Sequence, residues 1–395
     1  MPKVKHAILS WARETSKLSI EDAAHKLNIL DSKTASAAEK LVAFENGKKA
    51  PSRSLLLRMS KVYHRPLLTF YLDKPPGTGD RGEDFRTLPD GYQEEENAYV
   101  DVLIRDIKAR QKAVRETLID EDEEIRLGYV GKHTVEHGAA RIVQTIRETL
   151  NVDLADYRAQ SSNKEAFKFL RRRAEAAGIF VLLKGNLGSY HSSIDVATFR
   201  GFVLADDIAP FIVINDRDAE SAWSFTLVHE MAHLVLGQTG VSGAHAVIQI
   251  EKFCNNVASE FMLSKAVFES FQLSSLDIDA LKNEISDYAF SKKLSSTHIA
   301  YRLYRRGDIE KPSWESLRKY FRDKWLETRE KYKQKTSQKD GGPSYYVVHR
   351  HKLGALVGLV ERLTYSGALT TTKAGMLLDV KPLKVHRLFQ TGQPA

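Results

Sequence analysis

In this chain of 395 residues, the side chains best placed to do chemistry lie in Phe225-Thr226-Leu227-Val228-His229-Glu230-Met231-Ala232-His233-Leu234-Val235-Leu236-Gly237. His229 and His233 are four positions apart, so on a helix both imidazoles lie on one face one turn apart, with Glu230 beside them. That spacing is half of a zinc site. By chance, a chain with 13 His would hold on the order of 0.03 such His-Glu-x-x-His strings. The neighbours Leu227, Val228, Met231, Leu234 and Val235 make the helix a buried one, and Gly237 ends it as a C-cap glycine. Burying two imidazoles and a carboxylate without a partner is costly, so a bound metal is the simpler account.

The motif needs elements to position it. A basic amphipathic helix is predicted from Glu165 to Ala177, followed by a short buried strand through Gly178-Ile179-Phe180-Val181-Leu182-Leu183. Two further strands are predicted, at Phe199 to Leu204 and Pro210 to Asp216. A small sheet packed on the metal-bearing helix follows; analogy with zinc peptidases implies that the strand ending at Asn215 offers an edge to an extended substrate.

A hydrolytic zinc keeps three protein ligands and one open position. Downstream, Ile250 to Leu263 is predicted to be a helix with Glu251, Asn255 and Ala258 on one side. At 100° per residue Glu260 lies about 180° from Glu251, so only one of them can face the metal. Glu251 is the better choice because Asn255, one turn on, can accept a hydrogen bond from a ligand imidazole and set its tautomer. His245 is the alternative ligand. Cys254, about 60° from that face, reads as a small core residue. Tyr190 and His191, in a Gly/Ser-rich loop, read as ordinary loop residues.

The first motif, followed by Glu251-Lys252-Phe253-Cys254-Asn255-Asn256-Val257-Ala258-Ser259-Glu260-Phe261-Met262-Leu263-Ser264, resembles the ImmA/IrrE family of metallopeptidases. The second motif of that family commonly reads Glu-x-x-Ala-Asn-x-Phe-Ala-Ala-Glu, then an apolar pair and Pro. Glu251, Asn255, Ala258 and Glu260 match, while Cys254, Val257 and Ser264 replace the usual Ala, Phe and Pro. The resemblance spans about residues 140 to 310. It implies a zincin-like core in which His229, His233 and Glu251 hold Zn²⁺, Asn255 supports them, and Glu230 is the general base. It also implies a protein substrate, a transcriptional repressor of a mobile element or stress regulon.

The net charge of +8 and pI near 9.2 accompany interspersed charges making up 28% of residues, as on a well-solvated surface. Cys254 is the only cysteine, which excludes an intrachain disulfide and fits a reducing cytoplasm. No apolar run approaches the roughly 18 residues needed to cross a bilayer, and no signal-peptide core is expected at the N-terminus. A cytoplasmic protein without membrane partners is expected.

Residues 1–74 resemble an XRE-type helix-turn-helix, notably in Ala23-Ala24 and in Phe44-Glu45-Asn46-Gly47 through Pro51. Its second motif helix offers Ala35, Ser36, Ala37, Ala38 and Glu39 with only Lys40 cationic, a poor set of base readers. Residues 75–96 read as a linker, 97–150 as a connector of surface helices, 151–270 as the metallopeptidase core, 271–340 as a helix-turn-helix-like domain, and 341–395 as a last helical unit. The fold class expected is α+β, predominantly helical. The rival to a site-specific endopeptidase is a DNA-binding regulator or antitoxin that keeps the zincin core as sensor or scaffold, with DNA contacted through the N- or C-terminal helical modules.

Overall fold

The computed structural model describes residues 4–16, 18–65, 67–72, 94–188, 192–238, 244–337 and 344–391. The chain divides into two compact units, residues 1–107 with 186–198, and residues 108–185 with 199–395. The expected linker at 75–96 lies almost wholly outside the described residues.

In the first unit α1 (His6–Thr15), α2 (Ile20–Lys26), α3 (Ala37–Glu45) and α4 (Arg53–Val62) follow one another. Side-chain caps start three of them: Ser19 accepts from the Asp22 amide, Ser36 from Glu39 and Ser52 from Leu55, each satisfying a donor the helix leaves open. Ile8, Leu9, Leu41, Leu56 and Met59 form the core. At its rim Arg13 grips Glu45 in a two-pronged pair, at 2.8 and 3.0 Å. The division between the units falls within α5 (Glu94–Asp120).

The second unit opens with α6 (Gly138–Leu150), α7 (Leu154–Arg158) and α8 (Asn163–Ala176). Next come β1 (Phe180–Leu183), β2 (Gly201–Leu204) and β3 (Phe211–Ile214), in the order β1-β3-β2. β3 runs parallel to β1, pairing Phe180 with Phe211 and Leu183 with Ile214, and antiparallel to β2, pairing Gly201 with Ile214. All four residues of β3 are buried, which explains its unbroken apolar run in place of alternation. The strand expected to offer a free edge is therefore the central one, hydrogen-bonded on both sides; β2, paired with β3 alone among the described residues, holds the edge on the motif-helix side.

α9 (Glu220–Val235) packs on β2 and β3, so the sheet lies on the motif helix as expected. α10 (Ala244–Met262) follows, then α11 (Lys265–Glu269), α12 (Ile278–Lys292), α13 (Ser296–Arg306) and α14 (Lys311–Ser337). The architecture is α+β and predominantly helical, with a zincin-like core. α6 departs from the surface helix expected of its charges. It buries Ile142, Val143, Ile146 and Leu150 and packs against both α9 and α10, its charged residues covering the other face. In α14 Trp314 stacks on Tyr304 at 5.2 Å and Phe321 is buried.

The chain ends in α15 (Tyr345–Leu353), α16 (Ala355–Tyr365), α17 (Thr371–Leu377) and α18 (Val385–Gln390). α15 and α16 rest on β1. The buried Arg171 of α8 joins them to the sheet, donating to Glu175 at 3.0 Å, to the carbonyls of His351 at 2.6 Å and Lys352 at 3.2 Å, and to that of Val181. Among the described residues no helix is long and apolar enough to cross a membrane.

His298 of α13 touches the Phe225 ring at 5.1 Å and lies 3.4 Å from Ser259 Oγ, which ties α13 to α9 and α10. Burial, and then the charge of Arg302, lower its pKa from the ordinary 6.5 to about 4. A lowered imidazole pKa favours the neutral ring in the fold. Its contribution to stability is complete above pH 6.5 and is lost as pH falls toward 4, at most about 3 kcal/mol at ~1.4 kcal/mol per unit. Urea unfolding of wild type and His298→Asn at pH 7 and pH 4.5 should show the gap between them narrowing at the lower pH; parallel behaviour would contradict this assignment.

Candidate metal centre

α9 carries His229, Glu230 and His233, and α10 carries Glu251, so packing of the two helices assembles the site. α9 is apolar nearly all round because the sheet, α6, α8 and α10 surround it. Gly237 follows the helix at φ 63°, and the amides of Gly131 and His133 reach the end carbonyls of Leu234 and Val235 at 3.1 and 3.2 Å. Residues 131–133 thus cap a helix about a hundred positions downstream, a connection with no local signal in the sequence.

The three donor atoms converge. Nε2 of His229 and Nε2 of His233 are 3.1 Å apart; the Glu251 carboxylate is 3.2 Å from the first and 3.1 Å from the second. A tetrahedral ion with bonds of about 2.0–2.1 Å would separate its ligands by roughly 3.3 Å, so these residues fit a zinc-sized cation. His233 is 1% exposed, whereas His229 and Glu251 reach solvent, leaving an approach from one side. Among the described residues this trio is the group of His, Cys, Asp and Glu side chains arranged to hold a metal.

Glu230 is not among the converging trio. It is 5% exposed and lies against the start of β2: a Cβ on Gly201 would sit 3.0 Å from Glu230 Oε1 and 2.5 Å from Thr226 Cγ2. Burial pushes the Glu230 carboxyl up to about 8; the His233 imidazole pulls against this, and the charge of Glu251 adds a smaller upward push. Gly201→Ala should therefore displace Glu230 or α9 and destabilise the fold by about 1–3 kcal/mol. A thermal melt checks this, and an unchanged melting temperature contradicts it.

Asn255 is exposed on α10, and Nδ1 of His229 is buried without a hydrogen-bond partner among the described residues. Cys254 is wholly buried in the core, as expected of a small core residue; burial raises its thiol pKa, while the neighbouring His233 pulls the other way. Glu260 accepts from the Lys265 amide at 3.0 and 3.1 Å, capping the next helix away from the metal site. The side chain of His245, and Tyr190 and His191 entirely, lie outside the described residues.

Comparison with curated proteins and with solved structures found no match. Comparison with family models found one, to the IrrE N-terminal-like domain, Peptidase_M78, over residues 174–296. That span holds the whole sheet, α9 and α10 and so every residue of the converging trio, and it identifies this segment, under a third of the chain, as a domain of metallopeptidase type related to ImmA/IrrE.

Proposed function

We propose that the protein is a zinc-dependent endopeptidase of narrow specificity, and that it cuts a helix-turn-helix repressor to release stress or mobile-element genes from repression. The observation that carries this reading is the convergence of His229, His233 and Glu251 beside a buried carboxylate that is not a ligand, inside the peptidase-type segment. Zinc, when bound, supplies Lewis acidity to water and to a peptide carbonyl.

The chain does the rest. Glu230 takes a proton from the attacking water as oxygen adds to the carbonyl carbon, and returns it to the amide nitrogen as the C–N bond breaks. Its burial beside Gly201 holds the carboxylate in place and keeps bulk water from competing for the proton. β2, at one end of the strand order, is the strand next to that carboxylate, and an extended substrate backbone is proposed to lie along it. The cytoplasm, with its reducing conditions, suits the single buried thiol.

In this reading the XRE-like module at 1–74 and the C-terminal helical units recruit the repressor or hold the protein near DNA. The N-terminal module is the weaker DNA reader: Glu39 is engaged in the capping box with Ser36, and Lys40 donates to the Leu30 carbonyl at 2.5 Å. A regulator or antitoxin using the zincin core as a sensor is the second reading, supported by the basic helical unit at the C-terminus. Co-expression with candidate repressors separates the two. The first predicts a single cut, mapped by mass spectrometry and absent with Glu230→Gln; the second predicts repressor release without cleavage.

A further inference from the structure

α17 and the helical segment 382–390 are joined by a turn whose details are those of a helix-turn-helix. Asp379, at φ 55°, reverses the chain, and the Val380 amide returns to the Gly375 carbonyl at 3.0 Å. At Gly375 the two arms touch: a Cβ there would lie 2.8 Å from the Val380 carbonyl oxygen and 3.2 Å from Pro382 N, so the position demands a residue without one. Thr370 caps the first helix through the Lys373 amide, and Pro382 opens the second, where a missing N–H costs nothing. Ala374, Leu377, Leu378, Val385, Leu388 and Phe389 are buried on the inner face.

The outer face is basic. Lys373, Lys381, Lys384 and Arg387 are exposed, and none of them is paired with a carboxylate among the described residues; Arg387 lies over the Tyr346 ring at 5.0 Å. The one acidic residue between 366 and 391 is Asp379, which Lys184 at 2.9 Å and Arg110 at 3.5 Å hold, so it does not offset these cations. That ion pair also anchors the turn to the body of the unit, since Arg110 further donates to the Leu377 carbonyl at 3.0 Å. Interspersed among the cations, Leu383 is 94% exposed, and His386 and Gln390 are also exposed.

We infer that residues 369–391 form a duplex-DNA-reading helix-turn-helix, with 382–390 entering the major groove. The cations would meet phosphates and guanine edges, and Leu383 a thymine methyl. A-form RNA has too narrow a major groove to admit this helix. The inference deepens the DNA-contacting part of the reading above and is independent of peptide cleavage.

The test uses the full chain with a pool of random-sequence duplex DNA, from which a preferred sequence is selected and its affinity measured by fluorescence anisotropy. For the triple variant Lys381→Ala, Lys384→Ala, Arg387→Ala, affinity at 100 mM salt should fall on the order of 10²-fold, and the slope of log affinity against log salt should shrink by about 2–3. The three side chains are exposed, so an unchanged melting temperature certifies the fold. Lys48→Ala with Lys49→Ala, in the N-terminal module, should change affinity by less than about threefold. Glu230→Gln should bind as wild type does, which keeps failure of the peptidase reading distinct. Absence of any duplex binding, as for a protein-docking surface, overturns the inference; so does a triple variant that binds like wild type, or a loss confined to the N-terminal variant.

Discussion

Glu230→Gln is expected to lower peptide cleavage by two to four orders of magnitude while leaving metal content at one ion per chain. General-base catalysis by a positioned carboxylate contributes about that factor, and an amide cannot accept the proton. Because Glu230 is buried against Gly201 and is not one of the converging trio, the substitution removes the proposed proton acceptor and leaves all three candidate metal donors in place. Turnover of the mapped substrate together with zinc content measured by atomic emission checks it. A variant that retains more than about a tenth of wild-type turnover places the base elsewhere.

The same carboxyl makes metal removal strongly pH-dependent. In the metal-free protein the Glu230 pKa stands near 8, above its ordinary 4.5, so the neutral acid is favoured in the fold. That stabilisation is complete below pH 4.5 and is lost as pH rises through 8, at most about 5 kcal/mol at ~1.4 kcal/mol per unit. Chelated wild type should therefore weaken from pH 5 to pH 8 more steeply than chelated Glu230→Gln, and zinc should restore it. His233→Ala should weaken zinc binding on the order of 10²–10³-fold, because it removes one of the three proposed ligands, and should abolish the stabilisation by zinc. Differential scanning calorimetry with and without zinc reads both effects; equal pH slopes in the two chelated proteins would show that Glu230 does not titrate as a buried acid.

Much of the site is legible before any coordinates because its first half is local. His229, Glu230 and His233 lie within five consecutive residues, and helical period alone puts both imidazoles on one face. Glu251 needed phase along α10 to separate it from Glu260, and Asn255 one turn on to prefer it as the candidate ligand, a choice the family resemblance shares. The convergence of its carboxylate on both Nε2 atoms is a fact of helix packing. The three strands were readable as apolar runs, but which of them is central was not. Order in a sheet depends on pairing between segments about thirty residues apart, which no run of four residues encodes.

What the sequence by itself determined, then, is what short-range periodicity can place: two imidazoles and a carboxylate on one buried helix, the helices of the N-terminal module, and a last helical unit at 341–395. Tertiary structure alone decided which atoms meet across long separations. It set Gly201 under Glu230, placed β3 between β1 and β2, and drew residues 131–133 to the end of α9. It also fastened the tail's turn through Asp379 to Arg110 and Lys184. Side-chain reach and close packing settle such contacts, and both depend on neighbours that the local chain does not specify.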